Sequence, residues 1–218
     1  MRTNAGQART TLRKRTEADG AVRERLLESA LGLFTRKGYA STTVREIVAA
    51  AGVTQPVLYY YFRNKEGIYL ELMERGFRKF DALLEAAAAG TGSATRQLSD
   101  LSDRVYALFR EKIGLARLMY SIYYGPPQGA PFFDFDAYHF KFQDAVRRLV
   151  EEGIRRREFR RGNPETMTWA VIGAVNTAME LELCHPEISP GREGLFGVLE
   201  ILFRGMAPGT RGRKGERR

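Results

Sequence analysis

Apolar residues recur at three- and four-residue steps along most of the chain, and glycine, proline or capping residues interrupt them at helix-length intervals. Leu27, Ala30, Leu31 and Phe34 form the first stripe, predicting a helix from about Ala21 to Lys37 that Gly38 stops. Val44, Ile47, Val48 and Ala51 form a second, short stripe, followed at once by Gly52. Leu58 and Phe62, four residues apart, anchor a third short helix. Ile68, Leu72, Phe77, Phe80 and Leu84 then mark a long helix over roughly Lys65–Ala88, capped by Asn64 and broken by Gly90-Thr91-Gly92-Ser93. Further helices are expected near Thr95–Lys112, over residues 113–124, and from about Phe133 to Arg157. Pro126–Pro131 is a loop by composition. Asn163-Pro164-Glu165 supplies an N-cap, a first-position proline and a first-turn acid, opening a helix to about Cys184. After a break at Pro186–Gly191, a last helix runs to about Met206. No segment alternates apolar and polar residues like a strand, so the expected fold class is all-α, with about nine helices.

The second and third helices carry most chemical meaning. Thr43 and Glu46 make a T-x-x-E capping box, in which hydroxyl and carboxylate satisfy backbone donors at the helix start. Thr54 is placed to cap the next helix, with Pro56 tolerated in its first turn. Two short helices joined by so tight a turn are the geometry that pushes one helix into a DNA major groove. Thr42, Thr43 and Arg45 stand at the start of the first of the pair, where they can meet phosphate. Thr54, Gln55, Pro56, Tyr59 and Tyr60 line the outer face of the second. Gln55 can bond base edges, Thr54 and Pro56 can touch a thymine methyl, and Tyr59, Tyr60 and Lys65 suit phosphate or sugar.

At these residues the chain resembles the tetracycline-repressor (TetR) family of bacterial transcription regulators. The resemblance runs from about Glu24 to Tyr69: Ala30, Leu33, Phe34, Gly38 and Tyr39, then Thr42-Thr43-Val44-Arg45-Glu46-Ile47, Ala50-Ala51-Gly52-Val53, Leu58-Tyr59-Tyr60-Tyr61-Phe62 and Lys65-Glu66. Pro56, where small residues are usual, and Tyr61, where histidine is frequent, depart from the family pattern and bear on base preference rather than fold. The resemblance implies a helix-turn-helix DNA-binding domain of three helices over 20–66 and a helical ligand-binding and dimerisation domain over 67–206. A basic arm at 1–19 and a basic tail at 207–218 are expected to be disordered.

The formal charge of +9 agrees with an anionic partner, either nucleic acid or an anionic membrane surface. A single cysteine, Cys184, leaves no intramolecular disulfide and fits a reducing compartment. There is no apolar N-terminal run and no stretch of membrane-spanning length, so a cytoplasmic location without membrane partners is expected. A catalytic role fails on inventory: His139 and His185 are the two histidines, and His185 stands beside Cys184 rather than opposite it with a third orienting group. No cofactor loop or metal-ligand spacing is present, so catalytic, cofactor and metal sites are expected to be absent.

Aromatic side chains crowd residues 106–142 beyond what one packing stripe requires. Tyr106, Phe109, Met119, Tyr120, Tyr123, Phe135, Tyr138, His139 and Phe142, with Trp169, Asn176 and Glu180 from a neighbouring helix, are candidate walls for a flat or elongated apolar effector. The alternative is an aromatic core. In the last two helices, Gly173 and Ala178 permit close approach, while Leu195, Val198, Leu199 and Leu202 supply apolar surface for a homodimer interface of the family's four-helix kind. The sequence therefore points to a dimeric regulator, a repressor released from operator DNA by a small hydrophobic or aromatic effector. Rival readings are an activator of the same fold without an effector, a non-specific nucleoid-type DNA protein, and a membrane-surface protein, which the capped short helices oppose.

Overall fold

The structure is a computed structural model that describes the backbone of residues 4–208 and the side chains of residues 19–208. Among these residues there are nine helices and no strand. In chain order they are α1 (Asn4–Lys37), α2 (Val44–Ala51), α3 (Gln55–Phe62), α4 (Lys65–Ala88), α5 (Ala94–Glu111), α6 (Ile113–Tyr123), α7 (Phe135–Arg155), α8 (Pro164–Cys184) and α9 (Gly191–Met206). The first helix is already formed at Asn4, ahead of the expected start near Ala21, so most of the arm expected at 1–19 is helical in backbone. Residues 1–3 of that arm, and 209–218 of the expected tail, lie outside the described residues.

The chain divides into two compact units. The first comprises residues 1–76 together with 114–133, and the second comprises 77–113 and 134–218. α4 is one helix whose residues up to Gly76 belong to the first unit and whose remainder belongs to the second. The first unit also takes in α6 and the loop after it, which the sequence reading assigned to the second domain.

In the first unit, Leu26, Leu27, Ala30 and Phe34 of α1 are buried, as are Ile47, Val48 and Ala51 of α2, Leu58 and Phe62 of α3, and Ile68, Tyr69, Leu72 and Met73 of α4. Tyr39, just past α1, inserts between Phe34 and Tyr69 at ring separations of 5.2 and 5.3 Å. Burial pushes the hydroxyls of Tyr39 and Tyr69 up to about 12, with Glu66 adding to the first and Tyr39 to the second. The loop after α6 joins this unit through Gln128, whose Oε1 accepts from Tyr39 N at 2.9 Å and whose Nε2 donates to Ser121 O at 3.1 Å. Gly38 makes that approach possible: its φ is +84°, and a Cβ there would meet Gln128 Oε1 at 2.9 Å.

The second unit has its own apolar core. Leu98, Leu101 and Val105 of α5, Phe142, Val146 and Val150 of α7, Val171, Ile172 and Val175 of α8, and Leu195, Leu199 and Phe203 of α9 all contribute to it. The capping chemistry expected for α8 is present, with Asn163 Oδ1 accepting from Glu165 N at 2.8 Å. The start of α7 is set by Asp134, whose Oδ1 accepts from Ala137 N at 3.0 Å, which places it two residues beyond the expected Phe133.

Candidate nucleic-acid interface

The α2–α3 pair is built by local chemistry at both ends of each helix. Thr43 caps α2: its hydroxyl oxygen accepts from Glu46 N at 3.3 Å, and Glu46 Oε2 accepts from Thr43 N at 2.8 Å. Lys37 Nζ donates to Glu46 Oε1 at 2.5 Å, tying the end of α1 to the same cap. The Lys37 hydrogen bond, reinforced by those from Thr43, holds the Glu46 carboxyl down at about 2. At the other end Gly52 takes the left-handed conformation (φ 64°, ψ 38°), and Val53 N donates back to Val48 O at 3.0 Å. Only Gly52, Val53 and Thr54 separate the two helices. Thr54 is the N-cap of α3 in backbone conformation, but its hydroxyl makes no capping bond.

Leu58 and Phe62 turn α3's inner side into the core, and Phe62 lies under the Arg23 guanidinium at 5.2 Å. The outer side carries Thr54, Pro56, Tyr59 and Tyr60, with Tyr60 77% exposed. Gln55 is half-buried at the edge of this face. Arg45 is exposed on α2. An exposed strip of hydroxyl, aromatic and guanidinium groups on a rigid bihelical frame can present donors to phosphate and an apolar edge to a groove wall.

Two of the expected contact residues are placed differently. Thr42 is 1% exposed, and its hydroxyl donates inward to Gly38 O at 2.8 Å, so it stiffens the α1–α2 turn instead of facing phosphate. Lys65 is half-buried, and its ammonium donates to Tyr39 O at 2.9 Å and Thr42 O at 3.0 Å while lying 4.2 Å from the Tyr39 ring centroid. Burial lowers its proton affinity. A phosphate would have to compete with two carbonyls and a ring face for that cation. Tyr61 is also held, its hydroxyl donating to Asp19 Oδ1 at 2.8 Å.

The residues expected to wall one effector cavity are divided. Met119, Tyr120 and Tyr123 belong to the first unit, and the rest to the second. Within the second unit, Tyr106, Phe109 and Phe142 are buried. The Tyr106 hydroxyl donates to Glu182 Oε2 at 2.8 Å, and Glu182 also accepts from Ser189 at 2.8 Å and pairs with Arg110 at 3.1 Å. Phe135 and Tyr138 pack on Phe77 at centroid separations of 5.9 and 4.1 Å. His139 and Trp169, 6.4 Å apart, are exposed, as is Glu180, while Asn176 is half-buried. Ser102 and Thr168, which lie outside the set that sequence spacing picks out, have hydroxyls buried in this unit without a hydrogen-bond partner among the described residues. A small polar residue inside an apolar stripe was their signal.

The expected dimer residues are divided as well. Ala178, Leu195 and Leu199 are buried in their own unit's core, so they are not available to a partner. Gly173 and Val198 are exposed and Leu202 is half-buried. Trp169, Ile201 and Gly197 are also exposed on α8 and α9.

Comparison with known proteins bears on both units. Residues 26–72 match the model of the tetR family of bacterial regulatory proteins. The chain is 31% identical over 102 residues to YttP, a probable HTH-type transcriptional regulator of Bacillus subtilis, covering 46% of this chain and 49% of that one. It therefore spans about half the length of that curated relative. Among solved structures it resembles NalD, the secondary repressor of the MexAB-OprM multidrug efflux pump in Pseudomonas aeruginosa, with a TM-score of 0.64 at 21% identity over 89% of this chain and 100% of NalD. It also resembles SmeT in its complex with triclosan, with a TM-score of 0.67 at 20% identity over 90% of this chain and 98% of SmeT. At these identities the likeness to the two structures is one of fold.

Proposed function

We propose that this chain, whose residues 26–72 match the model of the tetR family of bacterial regulatory proteins, is a member of that family and a homodimeric, operator-binding repressor whose affinity for DNA a small molecule lowers. The observation that carries the DNA reading is the two-sidedness of α3, with Leu58 fully buried on one side and Tyr60 77% exposed on the other. A dimer would set two such helices about 34 Å apart, one duplex turn, to enter successive major grooves. The exposed apolar positions of α8 and α9, Trp169, Val198 and Ile201, are the surface on which a second copy would close. Arg45 and the outer tyrosines would fix the protein on the backbone, and Thr54, Gln55 and Pro56 would read base edges.

The effector reading rests on the second unit. An apolar core that leaves the Ser102 and Thr168 hydroxyls without a partner among the described residues suits a compact apolar ligand with one hydrogen-bonding group. SmeT, of similar fold, is known in complex with triclosan, an aromatic compound. α4 runs through both units and is the element through which an effector would act. An effector shifts the equilibrium only by its differential affinity for the two shapes, and a coupling of about 1–3 kcal/mol changes operator affinity roughly 5- to 150-fold. The formal charge of +9 favours one rival, sequence-independent DNA binding.

Selection of duplexes from random-sequence DNA by the full chain separates the two. The proposal expects a partly palindromic site bound at least about 1000-fold more tightly than bulk DNA. Retention of all duplexes with equal affinity would leave only the non-specific reading.

A further inference from the structure

Arg63 occupies the joint between α3 and α4, with φ 60° and ψ −41°. Asn64 N donates to Phe62 O across it at 2.5 Å, closing a three-residue γ-turn with positive φ at its centre. A glycine enters that turn freely, whereas a residue with a Cβ is strained in it. Arg63 and Arg157 are the non-glycine residues with positive φ among the described residues.

Neighbouring groups hold the joint without help from the Arg63 side chain. Arg63 N donates to Tyr59 O at 3.2 Å, Asn64 Oδ1 accepts from Gly67 N at 2.8 Å, and a Cβ on Gly67 would meet Phe62 O at 2.3 Å. The side chain itself is exposed and makes no hydrogen bond or ion pair among the described residues. Three other basic groups of this unit are engaged: Lys37 with Glu46, Arg75 with Glu24 and Glu71, and Lys65 with two carbonyls. Arg63 follows Tyr59 and Tyr60 directly past the end of α3, at the joint next to its exposed outer residues. A strained backbone carrying an unpaired, exposed cation beside the outer face of α3 is an outlier whose structural benefit is small and whose charge faces outward.

We propose that Arg63 is a phosphate-contacting residue of the DNA-bound protein, held off the end of α3 by the strained turn, so that the interface extends past Tyr60 to the α3–α4 joint. This rests on the DNA reading above. It gives to Arg63 the contact that sequence spacing assigns to Lys65. The alternative role for an arginine at this place is to complement the negative end of the helix dipole, which requires no DNA.

The test uses the full chain and a duplex of about 30 base pairs carrying the site that the wild-type protein selects from random-sequence DNA. Affinity is measured across salt concentrations, and melting is followed in parallel. Arg63→Ala should weaken binding roughly 10-fold, as expected for loss of a charge-assisted bond, and should lower the salt slope by about one per protomer bound. Arg63→Lys should keep most of the slope. Arg63→Gly is the discriminating variant: relief of the strained turn should leave the melting temperature unchanged or raised while binding falls as in Arg63→Ala. Should Arg63→Ala and Arg63→Gly bind with wild-type affinity and slope while Tyr60→Ala is weakened, the inference fails and the DNA reading stands. A drop in melting temperature for both variants with unaltered DNA affinity would instead assign Arg63 to the dipole role. If the wild-type protein selects no duplex, both the inference and the DNA reading fall.

Discussion

Two adjacent threonines show how neighbouring residues of one type part company. Thr43 is exposed and caps α2, whereas Thr42 is buried with its hydroxyl on Gly38 O. The T-x-x-E spacing identified the capping residue, because a capping box is a contact within four residues. Thr42's hydroxyl bond to Gly38 O is just as local but belongs to no capping signature, and the Lys65 ammonium that donates to Thr42 O comes from 23 residues away. No local spacing encodes the partners of Lys65, the carbonyls of residues 39 and 42. Glu46 gives the residue-scale prediction. Its carboxyl is held at about 2 in the folded chain against an ordinary 4.5, so the anion is favoured by folding. The stabilisation is complete above about pH 5 and fades as pH falls from 4.5 toward about 2. The difference in melting temperature between wild type and Glu46→Gln should therefore be constant near neutrality and shrink across that window. A gap that persists unchanged to pH 2 would remove the capping role of the anion.

Helices were legible where their signals are local. The glycine ending α2, the asparagine–proline–glutamate opening of α8 and the tight α2–α3 turn all follow from neighbours in sequence. Gln128 was not legible, since it sits in a segment that composition reads only as loop. Its two hydrogen bonds link the α1–α2 turn to the end of α6 across 89 and 7 residues. Gln128→Ala leaves Tyr39 N without its acceptor in a half-buried site, at a cost of about 1–3 kcal/mol. Amide exchange at Tyr39 should accelerate and the melting temperature should fall. Unchanged exchange at Tyr39 would show that the bond is not maintained in solution.

For the whole molecule, the all-α class and the order of elements were readable, and the division into units was not. The resemblance implies a boundary after residue 66, whereas the compact units share α4, and a later segment, 114–133, belongs to the first unit. Amphipathic helices also hide which of two apolar faces is covered by the chain's own core. Leu195 and Leu199 of α9 prove to be internal, while Ile201, 70% exposed, is left outward. The proposed dimer closes on that outward face. Ile201→Glu should place a charge in the interface, convert the dimer to a monomer in sedimentation, and lower operator affinity with little change in helix content. A dimer that survives this substitution would place the interface elsewhere.

Contact between the outer side of α3 and DNA is what the proposed repressor depends on. A photoreactive benzoylphenylalanine in place of Tyr60, compared with the same group in place of Ile201, tests it on the selected duplex. Covalent capture of the duplex is expected from position 60 and none from position 201. Capture from position 201, with position 60 silent, would contradict that contact.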